Sequence, residues 1–167
     1  FYQQRGWIAG DPGLLGTLEA APATGSHHQS PPDTAGIAAA QLIRTAVEPS
    51  LVRRTATAWR GCPIPCKSID LYVEQDGYAL VGRADGGLTI LFEMLGDPAS
   101  FETLWDLGVC GAREIYVNSH DGSPLRSWLS TKGLAWARQD LAHWISFTDD
   151  FVIPNAEMPW IPYFDRI

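Results

Sequence analysis

The side chains best suited to covalent chemistry are a cysteine and a histidine at the two ends of a short apolar segment. Cys110 lies in a Gly-Val-Cys-Gly turn, and His120 and Asp121 follow residues 113–118, which alternate like a strand. A histidine can deprotonate a thiol and a carboxylate can orient the histidine, so these three residue types suit a nucleophilic site. A six-residue strand separates its ends by about 20 Å, however. A cysteine-dependent hydrolase or transferase is therefore our alternative hypothesis, and it requires the chain to fold back.

Two earlier cysteines have the spacing of half a metal site. Cys62 and Cys66 enclose Pro-Ile-Pro, but a structural zinc site needs four ligands, and no second Cys or His pair has a matching spacing. With Cys110 the cysteines number three, which argues against a disulfide framework and favours a reducing compartment. We therefore expect no metal and no other cofactor, and a cytoplasmic, bacterial protein.

Negative charge is concentrated in the later part of the chain. Residues 1–67 carry six basic and four acidic residues, whereas residues 68–167 carry six basic and fifteen acidic ones, within a net charge of −7. Such a surface repels phosphates, so we expect no nucleic acid partner. We also expect no membrane partner, because the apolar runs are far shorter than the roughly 20 residues of a spanning helix. A basic protein would be a suitable partner.

The elements that position these residues are predicted most clearly over residues 68–95. Residues 68–74 alternate apolar and polar side chains, and Asp76 with Gly77 is a strong hairpin signal. Asp85, Gly86 and Gly87 turn the chain again, into the apolar residues 88–95. The pattern predicts a three-strand antiparallel meander whose last strand is central or covered on both faces.

Helices are predicted on both sides of the meander in sequence. Residues 34–47 are rich in alanine with Thr34 as the N-cap, and residues 50–59 form a second helix with Arg53 and Arg54 facing outward. Further helices are predicted after Asp97-Pro98, after Ser123-Pro124 and over residues 134–141, with strands near 113–118 and 143–147. We predict a single α+β domain over residues 1–167, with an antiparallel-rich sheet and helices packed on one face. A flexible loop is expected at about residues 11–33, and an extended aromatic tail at about residues 149–167.

The tail combines aromatic and acidic side chains. Those we predict to bind a partner are Asp149, Asp150, Glu157, Trp160, Tyr163 and Asp165. Trp and Tyr dominate interface hot spots, and acidic groups steer a basic partner. The alternative is that the tail wraps the domain and buries its own aromatic rings. Our first functional hypothesis is a non-enzymatic protein-binding domain, concretely an acidic inhibitor or immunity protein that neutralises a basic toxin or nuclease.

Overall fold

The computed structural model describes residues 8–9, 13–19, 29–49, 51, 53–61, 66–120, 122–139 and 143–144. Their helices and strands alternate in a mixed order that confirms the α+β class. In chain order they are β1 (Ile8–Ala9), β2 (Gly13–Glu19), α1 (Thr34–Val47), α2 (Ala56–Arg60), β3 (Ser68–Glu74), β4 (Gly77–Arg83), β5 (Leu88–Gly96), α3 (Phe101–Val109), β6 (Glu114–His120), α4 (Pro124–Ser130), β7 (Ala135–Gln139) and β8 (His143–Trp144). None of the helices in this part of the chain has the length and apolar character needed to cross a bilayer.

Six strands form one mixed sheet in the order β3-β4-β5-β6-β2-β7. The meander of β3, β4 and β5 is antiparallel, as predicted. β5 and β6 are parallel, and α3 forms the crossover between them. β2 is antiparallel to both of its neighbours, β6 and β7. β1 and β8 pair separately, so the predicted strand near 143–147 is outside the main sheet as far as it is described.

The helices lie on both faces of the sheet, which corrects the prediction that they pack on one face. Tyr78 and Leu80 of β4 belong to a cluster that includes side chains of α1 and α2. Ala79 and Val81 belong to the opposite cluster, which includes side chains of α3 and α4. Successive residues of a strand point to opposite faces, so a strand that is apolar at every position needs a layer on each side. Residues 78–81 of β4 have this composition.

The helix starts are made by short polar side chains, as the sequence indicates. The Asp97 carboxylate accepts a hydrogen bond from Ala99 N at 2.8 Å, and the Ser123 hydroxyl accepts one from Leu125 N at 3.2 Å. Both caps precede a proline, which has no N–H to satisfy. The cap of α1 is Asp33, not Thr34: its carboxylate accepts from the third residue of the helix at 2.6 Å.

The predicted second helix is shorter than expected. α2 begins at Ala56 because Thr55 takes the N-cap position, with its hydroxyl accepting from Ala58 N at 3.1 Å. Ser50, the predicted cap, lies outside the described residues. A Thr cap in front of an alanine-containing segment competes with the earlier start that the apolar spacing indicates.

Two segments predicted as a loop and a helix are strands. Residues 13–19, inside the predicted flexible loop of 11–33, form β2. Gly16 explains why this strand was missed, because glycine is unfavourable in strands and here its missing Cβ leaves room for Leu134 and Trp136. Residues 135–139, predicted as part of a helix over 134–141, form β7. Backbone pairing with β2 overrides their local helix preference.

Gly96 ends β5 at a point where a side chain would not fit. Its φ is 135°, and a Cβ there would overlap the carbonyl oxygen of Asp76. We expect Gly96→Ala to lower the free energy of unfolding by about 2–3 kcal/mol, since strained backbone alone costs roughly 1–3 kcal/mol. The control is Gly86→Ala, where φ is 72° and no atom lies within 4 Å of the new Cβ; the expected loss is about 1 kcal/mol. Urea denaturation measures both losses, and equal values would contradict the overlap.

Candidate functional site

β5 and β6 are parallel neighbours that separate partway along their length. Their pairing runs from Leu88 opposite Glu114 to Leu91 opposite Val117. Among the described residues no pair follows, although β5 continues to Gly96 and β6 to His120. β5 stays paired with β4 and β6 with β2 over these lengths. We call the part of the two strands that does not pair, residues 92–96 and residues 118–120, the strand wedge; residues 92–96 are buried.

A β-bulge in β5 accounts for the strand wedge. Leu80 of β4 lies opposite Glu93 and Val81 lies opposite Leu91, so Phe92 is an extra residue in β5. A bulge bends its strand and increases the local twist. The bend follows the last residue that pairs with β6, and it turns the rest of β5 away from that neighbour.

The strand wedge opens at the carboxyl ends of two parallel strands. Open sheets commonly bind ligands at this edge, in the crevice between strands whose connections leave in different directions. Over these residues the facing edges of β5 and β6 do not pair with each other, and residues 92–96 and Ser119 are buried. Such edges can recognise an extended ligand through backbone hydrogen bonds, as in strand addition. The geometry suits a narrow, linear ligand with amide groups.

The bulge also aims an acidic side chain into the layer beneath α1. Because Phe92 is an extra residue, Phe92 and Glu93 both point to the α1 face. Glu93 is 2% exposed. Its Oε1 accepts from Arg44 Nε at 3.3 Å, and its Oε2 accepts from Arg54 Nη1 and from the Tyr78 hydroxyl, each at 2.7 Å. These donors hold Glu93 as a structural anion, which leaves it poorly placed to deprotonate a substrate.

The burial of Arg54 differs from the prediction that both arginines of the pair face outward. Arg53 is exposed as predicted, but the Arg54 side chain is 3% exposed and ion-paired with Glu93. Its guanidinium also lies 4.9 Å from the centroid of the Trp59 ring, which packs edge-on against Tyr78. The adjacent Arg pair gave no sign of this difference, because the partner carboxylate is 39 residues away in the sequence.

A second polar cluster lies on the opposite face, near the amino end of β5. Asp70 accepts from Ser30 N at 2.9 Å and from Arg83 Nε at 3.2 Å. Arg83 also donates to the hydroxyls of Thr89 at 3.0 Å and Tyr72 at 3.3 Å. Burial raises the pKa of Tyr72, and the hydrogen bond from Arg83 opposes that change. These donors and acceptors hydrogen-bond with one another at the end of the sheet opposite the strand wedge.

The residues of the alternative cysteine site are not brought together by the strand between them. Cys110 directly follows α3, and its thiol is free and half-buried. His120 is the last residue of β6. The strand separates its ends by about 20 Å. Asp121 lies outside the described residues.

The described residues include only some of the other residues that we predicted to form a site. Cys66 is half-buried, while Cys62 lies outside the described residues. No group of three or more His, Cys, Asp and Glu side chains lies together in the part of the chain that the structure covers. The predicted partner-binding residues, Asp149, Asp150, Glu157, Trp160, Tyr163 and Asp165, are outside that part, so their role stays a prediction.

Replacing the buried carboxylate should strongly destabilise the protein. We expect Glu93→Gln to lower the free energy of unfolding by about 3–5 kcal/mol, since it removes the anion between two buried guanidinium groups. The control is Glu102→Gln, which removes an exposed ion pair with Lys132 at 2.7 Å and should cost at most about 1 kcal/mol. Chemical denaturation of both variants tests this, and similar losses would show that the buried charge is unimportant.

The same cluster should make stability depend on pH in the alkaline range. Burial, and then the Glu93 carboxylate, raise the pKa of Tyr78 well above 10.0. The folded state therefore keeps the phenol proton at pH values where the unfolded state has lost it. The contribution of Tyr78 to the free energy of unfolding is thus complete below pH 10 and is lost as pH rises above it. We expect the free energy of unfolding to fall less steeply above about pH 10 in Tyr78→Phe, by up to about 1.4 kcal/mol per pH unit. Denaturation curves between about pH 9 and about pH 11 measure the slopes, and identical slopes would contradict the assignment.

Comparison with known proteins identifies the fold and no family. No known protein family and no curated protein matches this chain. A solved structure from Enterococcus faecalis V583, a conserved protein of unknown function described as a probable N-acyltransferase, superimposes with a TM-score of 0.51 at 12% sequence identity. The match covers 84% of this chain and 41% of that protein, so the chain spans about two-fifths of the length of its structural neighbour. The likeness is one of fold alone.

Proposed function

We propose that this chain is an acyl-donor-binding domain of the N-acyltransferase type, with the strand wedge as its binding site. The observation that carries the proposal is the end of the pairing between β5 and β6 after Leu91 and Val117. The structural neighbour described as a probable N-acyltransferase supports the choice of chemistry. At 12% identity that support is for the fold, and the activity is our inference.

The shape and chemistry of the wedge suit the arm of an acyl thioester. The arm of coenzyme A is a thin chain with two amide groups, which is the form that a pair of strand edges can hydrogen-bond. Apolar side chains flank the path: Leu91 and Met94 on the face of α3, and Leu95 on the face of α1. A β5 N–H directed at the thioester carbonyl would stabilise negative charge on its oxygen during attack by an amine. The main chain would thus supply both recognition and polarisation.

The proposal extends to donor binding and not to a complete catalytic site. An attacking amine must lose a proton to a base. Within the described residues Glu93 is engaged by Arg44, Arg54 and Tyr78. Because the chain spans about two-fifths of its structural neighbour, a base from outside the described residues is compatible with the proposal.

Binding of a thioester should protect the wedge from hydrogen exchange. We expect acetyl-CoA, added to the full chain, to slow exchange of those amides in residues 92–96 that point toward β6 by about tenfold or more, because a bound arm would occupy those groups, whereas the amides directed at β4 are already bonded. Residues 88–91 already pair with β6 and serve as the internal control, with no change expected. Acetyl-pantetheine, which lacks the nucleotide, distinguishes binding in the wedge from binding of phosphates. No protection by either compound at about 1 mM, a concentration that detects even weak binding, would contradict the proposal.

The acidic inhibitor predicted from the sequence remains a second proposal. It is favoured by the six basic and fifteen acidic residues of 68–167, which would complement a basic cleft on another protein. A cytoplasmic location belongs to this proposal.

The inhibitor proposal predicts a stoichiometric basic partner that is lost at high salt. Affinity purification from the native host at low and high ionic strength measures this, because screening weakens contacts between exposed charges. Neutralising Asp149, Asp150, Glu157 and Asp165 together should weaken the complex. Unchanged affinity in that variant would remove the tail from the interface.

A further inference from the structure

The outward side of α1 has no charged side chain. Arg44 is the one charged residue of the helix, and it is buried against Glu93. The exposed residues, which we call the outer α1 face, are Thr34, Ala35, Ala38, Leu42, Thr45, Ala46 and Val47. Leu42 is 75% exposed. A surface helix ordinarily carries charges on its outer side, whereas a helix that is apolar all round is typical of one covered on all sides.

The size of this face decides what kind of occupant it fits. A helix of 14 residues is about 21 Å long and presents a strip about 10 Å wide, or roughly 200 Å². A stable dimer buries about 800 Å² on each partner. The outer α1 face is too small to hold a second copy by itself. A single extended segment of six or seven residues, about 20–24 Å long, matches its length.

The rim of the face carries two exposed arginines, Arg53 and Arg60, together with Asp33 and Glu48, which cap the two ends of α1. Arg60 is exposed, and its Nη2 donates to the Thr34 hydroxyl at 3.3 Å, which places it beside the first turn of α1. Arg53 is exposed and precedes Arg54, whose backbone N–H donates to the Gln41 side chain at 3.3 Å. The matching occupant would have an uncharged apolar centre flanked by acidic residues.

We propose that the outer α1 face binds residues 158–164 of the same chain. This stretch is uncharged, contains Trp160, Tyr163 and Phe164, and lies between Glu157 and Asp165. The described chain ends at Trp144, 16 residues before Trp160. That length of chain reaches about 50 Å, so α1 is within range from any edge of a domain of this size. The tail then acts as an intramolecular strap, and its acids pair with Arg53 and Arg60. This inference is independent of the acyl-donor proposal.

A double-mutant cycle on the full chain tests the contact. We expect Trp160→Ala to raise the unfolding equilibrium constant. The factor by which it raises that constant should be at least about fivefold smaller when Leu42 is already alanine, because contacting residues are energetically coupled. The control background is Leu107→Ala, on α3 and 38% exposed, where the effect of Trp160→Ala should be unchanged within about twofold. Urea denaturation followed by far-ultraviolet circular dichroism avoids the change in fluorescence that loss of a Trp causes.

Each other outcome overturns the proposal. Equal effects of Trp160→Ala in the wild-type and Leu42→Ala backgrounds would show that the tail does not contact α1. Sedimentation velocity distinguishes the remaining occupant: a wild-type dimer that becomes monomeric in Leu42→Glu would assign the face to a second copy. Leu42 is exposed, so both substitutions are expected to leave the fold intact.

Discussion

The rest of the structure depends on a buried carboxylate between two guanidinium groups. Glu93 lies in the central strand β5, Arg44 lies in α1, and Arg54 lies in the segment before α2, so three separate elements are joined at one point. A buried ion cluster is costly to form, since each charge must leave water, and it is stable only when every partner is in place. Its geometry therefore restricts how α1 can sit on the sheet, whereas apolar packing alone would tolerate small shifts.

The bulge at Phe92 connects this cluster with the strand wedge. One extra residue changes the direction of Glu93, so that the acid reaches α1, and it bends β5 away from β6. The same local irregularity thus makes a rigid ionic contact on one face and ends the pairing of β5 with β6 within the sheet. A regular β5 would place Glu93 on the side of α3 and α4, among apolar side chains, and would not end that pairing.

Much of the fold follows from local patterns, and the site does not. The meander, the caps at Asp97 and Ser123 and the coverage of β5 follow from alternation and from turn residues, which act over a few positions. β2 and β7 were missed because their strand character comes from pairing with distant residues. The partners of Glu93 and the bulge likewise depend on contacts across 15 to 49 residues. The placement of helices on both faces follows from residues 78–81 of β4, which are apolar at every position and need a layer on each side.

The position of β2 has a consequence for how the protein is made. This strand comes from the beginning of the chain but lies between β6 and β7, which are synthesised about a hundred residues later. During translation β2 remains unpaired until β6 and β7 have been synthesised, and only then can the sheet form completely. Such distant pairing makes folding slow, and an unpaired strand edge can meet another chain first. Synthesis on the ribosome, rather than the finished fold, is thus the stage at which this protein is most exposed to aggregation.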